Sequence, residues 1–147
     1  MSKFRFRVQA ALDLRRRELE AAQQDLARTE RDRDAARARV EEADGRVQGA
    51  RRSATEASQG SRSSTELEWY RFWILRLDHE RHAAAMTLAA KESDVSRAAA
   101  ACLHAKQRCE SLEKMRENAK RGHETAEREA ERKVIDELAT RRFKRSA

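Results

Sequence analysis

The sequence His79-Glu80-Arg81-His82 holds the densest set of groups able to bind a metal or move a proton. Metalloprotease helices space two histidines four residues apart around a basic glutamate, so both rings leave one helix face. Here the spacing is three and no third ligand is evident, so solvated helix histidines are the better reading. Neither His104 nor His123 has a nucleophile or an acidic orienter in a recognisable arrangement. Cys102 and Cys109 are seven residues apart, about 10 Å along a helix, which is too far to bridge, and they read as reduced thiols. No glycine-rich phosphate loop is present. The sequence therefore assigns no catalytic residue, no metal ligand and no cofactor, and what chemistry it offers lies in surfaces.

Two kinds of surface stand out. Both chain ends are basic: residues 1–17 carry Lys3, Arg5, Arg7, Arg15, Arg16 and Arg17 against the single acid Asp13. Residues 140–147 carry Arg141, Arg142, Lys144 and Arg145 against no acid. Elsewhere bases alternate with acids, the pattern of a solvated coiled-coil face. A nucleic-acid partner is the less favoured reading, because neither a basic leucine-zipper layout nor an aromatic stacking platform accompanies the charge. The second surface is Trp69-Tyr70-Arg71-Phe72-Trp73-Ile74-Leu75, which holds four of the seven aromatics. That is more than a two-helix seam buries, so the run reads either as cover for a bend or as an anchor for a partner.

The elements that carry these surfaces follow from composition and period. With 147 residues, 40% charged, 5% aromatic, four glycines and no proline, the chain lacks the apolar bulk of a compact globule and the punctuation of a β fold. Sevens from Leu12 run Leu12, Leu19, Leu26, Arg33, Val40, Val47, Ala54, and three further on lie Arg15, Ala22, Thr29, Ala36, Ala43, Ala50, Ala57. A second frame from Leu67 runs through Ile74, Arg81, Leu88, Val95, Cys102, Cys109, Arg116 and His123 to Ala130, with Tyr70, Leu77, Ala84 and their successors as partners. These are a and d positions of two coiled-coil seams. Between them lies Ser58–Thr65, which contains Gly60 and two capping boxes, Ser63 with Glu66 and Thr65 with Glu68.

The expected fold is all-α, a single domain over 1–147 built as a long two-helix antiparallel coiled-coil hairpin. Helix one would span about 4–57, the loop 58–65 and helix two 65–143. By helix rise the arms would measure about 80 and 120 Å. Phe4 would come level with a residue near 118, leaving Val134, Ile135, Leu138 and Phe143 on an overhang without an internal partner. Both basic ends would share that pole. The rival architecture, a parallel dimer of uninterrupted helices, would leave the loop and caps without a use. No signal-peptide core and no membrane-length apolar run is seen, so the chain is expected to be cytoplasmic.

The stretch FRFRVQAALDLRRRELEAAQQDLA (4–27) resembles the start of the FliJ family of flagellar export proteins. So do WYRFWILRL (69–77) after the bend and VIDELATRR (134–142) near the end. The resemblance implies a non-enzymatic coiled-coil stalk, similar to the paired helices of the rotary ATP synthase γ subunit. It also implies insertion into the hexameric export ATPase FliI, contact with the membrane export gate FlhA, escort of export chaperones, and a peripheral position at the cytoplasmic face of the inner membrane. On that basis Arg5, Arg7, Arg16, Val134, Ile135, Leu138, Arg141 and Arg142 are expected at the ATPase. Trp69, Phe72, Trp73, Arg76 and Glu80, a strip near the bend and about 70 Å by helix rise from the basic pole, are expected at the gate. A virulence-type secretion stalk is the alternative of similar design.

Overall fold

The computed structural model describes residues 2–60 and 63–146. Two helices account for nearly all of them: α1, Gln9–Gln59, and α2, Ser64–Ser146. The longer second helix and the pairing of the two as a hairpin agree with the sequence reading. Every seam position of α1 from Leu12 to Ala57 is buried or half-buried, and the positions between are almost all exposed. A heptad pattern buries one stripe because residues three and four apart return to the same helix face.

Helix boundaries differ from the expected ones at the bend, at the start of α1 and at the end of α2, which runs to Ser146 rather than to about 143. α1 continues to Gln59, where the Gly60 amide donates to the Glu56 carbonyl at 3.0 Å. α2 restarts at Ser64 with Ser63 as its N-cap, whose Oγ accepts from the Glu66 amide at 3.4 Å. The gap between the helices is thus shorter than 58–65. Of the two capping boxes only the Ser63 position is a cap, because Thr65 already lies inside the helix, and Ser61 and Arg62 fall outside the described residues. At the other end α1 begins at Gln9 rather than near Phe4. Phe4-Arg5-Phe6 offers no side chain to cap a helix, and both phenylalanine rings are half-buried in the non-helical lead-in.

Contacts divide the chain into two units, residues 22–102 and residues 2–21 with 103–146. In the bend unit, Val47, Ala50 and Leu77 form the core with Ile74 packed against it. Ala36, Ala57 and Ala98 are buried as well. Small residues on alternate layers let the helices approach closely enough to exclude water from Val47. Arg37 pairs with Glu92 at 4.0 Å, Asp44 with Arg81 at 3.5 Å and Arg51 with Asp78 at 3.6 Å, an antiparallel order. Arg81 explains its own place on the seam: it also meets Asp78 at 2.9 Å, so its charge is matched where it leaves water.

The unit of the chain ends is held differently. Leu12 and Cys109 are its buried apolar residues. Around them Arg116 donates to Gln9 at 3.0 Å, Arg16 pairs with Glu113 at 3.3 Å, and Ser2 Oγ donates to Glu127 at 3.1 Å. The Phe4 ring lies 5.6 Å from the His123 ring, and the Arg116 guanidinium sits 5.9 Å over Phe4. The lead-in spans more length per residue than helix, up to about 3.3 Å against 1.5 Å, so it covers α2 as far as Glu127. The uncovered part of α2 is correspondingly shorter than the 25 residues the helical estimate implied.

Candidate partner-binding surfaces

In the bend unit, Trp69 stacks on Trp73 one turn later, with ring centroids 5.9 Å apart and planes 9° from parallel. Tyr70 meets Trp69 edge-on at 5.1 Å. The Arg76 guanidinium lies 5.9 Å over the Trp73 ring and reaches Glu80 at 3.5 Å. The spacing 69, 73, 76, 80 follows one face of a helix, so each group meets the next. Four of the five residues expected at the gate are therefore one continuous strip. Phe72 is not in it: it makes no ring contact among the described residues and is 71% exposed.

Trp69 and Trp73 also form one wall of a groove of about 360 Å³. Tyr70 and Leu77 line its base, and Arg46, Gly49, Ala50 and Ser53 of α1 supply the other side. That α1 contribution was not singled out from the sequence. Its signal is the pair Gly45 and Gly49, four apart on one helix face, where a Cβ would meet nothing within 4 Å. Glycine in a helix interior is unfavourable, and Gly49, which lines the groove with the stacked tryptophans, leaves room that a side chain would fill. Within the aromatic run Tyr70 and Ile74 face the seam, as their heptad positions predict, whereas Trp69 and Phe72 remain largely exposed.

In the unit of the chain ends, the basic residues and the apolar overhang do not form one patch. Arg5 and Arg7 are exposed on the lead-in, beside the Phe4 that contacts Arg116 and His123. Arg141 and Arg142 lie some 20 residues further along α2, about 30 Å away by helix rise. Arg16 is engaged with Glu113 at 3.3 Å and Asp13 at 3.8 Å, which makes it part of the packing between helices. Val134, Ile135 and Leu138 are all more than half exposed, and so is Phe143. Val134, Ile135 and Leu138, with Ala130, Glu131, Ala139 and Arg142, line two shallow depressions on the bare helix.

His79, His82 and His104 are exposed, and no cluster of metal-binding side chains occurs among the described residues. Burial, and then the neighbouring Glu113 carboxylate, push the Cys109 thiol above its ordinary range, opposite to what a reactive thiolate needs. No described helix is long and apolar enough to cross a membrane.

Comparison with curated proteins and with solved structures returns no match. The family model described as flagellar FliJ protein matches residues 4–147, which include the lead-in, both helices and the exposed end. With that match over essentially its whole length, on the hairpin and unequal arms just described, the chain belongs to the FliJ family and is a component of the flagellar export apparatus.

Proposed function

We propose that the chain is a non-enzymatic stalk that joins the hexameric export ATPase, a FliI-like ring, to a FlhA-like export gate. The observation that carries this reading is the bare end of α2. Val134, Ile135 and Leu138 stand uncovered beside Arg141 and Arg142, at the place where a helix tip would enter a ring. Apolar side chains at helical spacing supply close packing, and the arginines steer the tip toward polar or acidic loops. Arg5 and Arg7 on the lead-in add to the field rather than to the contact. The stacked Trp69–Trp73 strip with Arg76 and Glu80 is the proposed gate surface. Export chaperones are further partners consistent with family membership, and the site of action is the cytoplasmic face of the inner membrane.

The mechanism is conformational coupling. A helical pair inside a ring contacts the subunits unequally and shifts their populations only by its differential affinity for their states. The test is co-purification with the export ATPase, scoring hexamer formation and ATP turnover. Arg141→Glu with Arg142→Glu should slow association and reduce stimulation of turnover, most at low ionic strength. Unchanged stimulation across salt would remove this tip from the mechanism.

A further inference from the structure

From Glu127 onward the exposed face of α2 is ordered in a way that ring binding does not require. The residues 127, 131, 134, 138, 141 and 145 alternate steps of four and three, the spacing of a coiled-coil seam. They read Glu127, Glu131, Val134, Leu138, Arg141, Arg145: two acids, two aliphatics, two bases. Its first member, Glu127, is half-buried where Ser2 and His123 meet it, and the other five are exposed. Among the described residues Glu131, Arg141 and Arg145 make no ion pair, whereas elsewhere on α2 intrahelical pairs such as Arg97–Asp94 and Arg121–Glu117 form.

We infer that this face is an interface with a second copy of the same chain, the two bare helix ends running antiparallel. A two-fold axis beside residue 136 sets Val134 against the partner's Leu138. It sets Glu131 against the partner's Arg141 and Glu127 against the partner's Arg145, each pair occurring twice. Ile135 then lies next to its own counterpart. A two-fold interface must be self-complementary, and a sequence that runs acid, apolar, base meets that condition only when reversed. Run parallel, the same stripe opposes Glu131 to Glu131 and Arg141 to Arg141. Two flanking contacts are unfavourable, Glu137 facing its own copy and Arg128 facing Arg142, but both stay in water where salt screens them.

The overlap covers residues 127–145, about 27 Å of helix. Two helices in contact over that length bury less than the roughly 1,200 Å² at which interfaces become stable, so the dimer is a weak, reversible one. It uses the strip that the proposed ring contact also uses, and the two occupants exclude each other. The inference does not depend on the ring reading, because it is measured on the isolated chain.

Sedimentation equilibrium of the full chain tests it. The wild type should pass from monomer to dimer with a midpoint on the order of 10 µM, and the midpoint should rise with salt. Glu131→Arg alone places Arg opposite Arg141, and Arg141→Glu alone places Glu opposite Glu131. Each should weaken self-association at least tenfold, with helicity unchanged by circular dichroism because both positions are exposed. Mixing the two variants restores both ion pairs, and a heterodimer should form at wild-type strength. The result is overturned if the wild type stays monomeric to about 200 µM, some 20-fold above that midpoint. It is overturned equally if each variant self-associates like the wild type, or if the mixture fails to recover.

Discussion

The bend unit and the unit of the chain ends use the same two helices in different ways. In the first, Val47, Ala50, Leu77 and Ile74 make a dry seam, and ion pairs such as Arg51–Asp78 frame it from outside. In the second, Gln9, Arg116, His123 and Glu127 occupy or flank the seam, and apolar burial is confined mostly to Leu12 and Cys109. Burial of aliphatic surface is the larger and less specific contribution, at about 25 cal/mol per Å². Partly exposed hydrogen bonds and ion pairs contribute about 1 kcal/mol or less each, and only when their geometry is kept. The difference teaches where each surface gets its rigidity. The stacked tryptophans stand on a packed core, whereas the bare end of α2 continues from a polar, thinly packed stretch. A surface of the first kind suits a fixed docking site. One of the second kind suits exchange between partners.

Breaking the packed seam should have the largest effect. Leu77→Ala removes the one large aliphatic of α2 that is buried among the described residues and should cost about 2–3 kcal/mol, read as a lower midpoint in urea. The groove would lose its floor with it. If the loss is within 0.5 kcal/mol, the seam is not what holds the bend unit and the comparison fails. Trp73→Ala separates surface from core. On the proposed gate reading it should weaken gate binding by about 30-fold, about 2 kcal/mol, with little change in melting temperature or ATPase stimulation. A drop in melting temperature that damages both activities together would instead make the tryptophans cover for the bend. Phe4→Ala should have the smallest effect, about 1 kcal/mol, because it removes a tilted ring contact and a cation–π contact on a non-helical lead-in. Hydrogen exchange should report it as faster opening around residues 2–12, with amides of residues 40–50 unchanged.

The helices and their seam were legible because they depend on local spacing. Stepping by sevens from Leu12 and Leu67 needs no knowledge of what lies opposite, and it picks out the buried residues, although Ala119, Ala126, Ala130 and Lys133 at the far end of the second frame are exposed. It also places Arg81 and both cysteines on the seam, where the structure has them. The start of α1 was less legible: Phe4 and Phe6 fit a helical pattern as well as they fit an extended arm. Only the His123 ring and the Arg116 charge opposite Phe4 decide for the arm. The groove was not legible either, since its far wall is Gly49 and Ser53, whose contribution is the absence of bulk.

The sequence by itself determined two helices, their break at Gly60 and Ser63, the face each helix buries, and a second helix longer than the first. The tertiary structure decided which surfaces remain uncovered. It set how far the lead-in reaches along α2, took Arg16 into a contact between helices, and put Gly49 across from Trp73. Periodicity is a property of one helix and is written in one segment. Exposure is a property of a pair, and it is fixed only when the partner segment has taken its place.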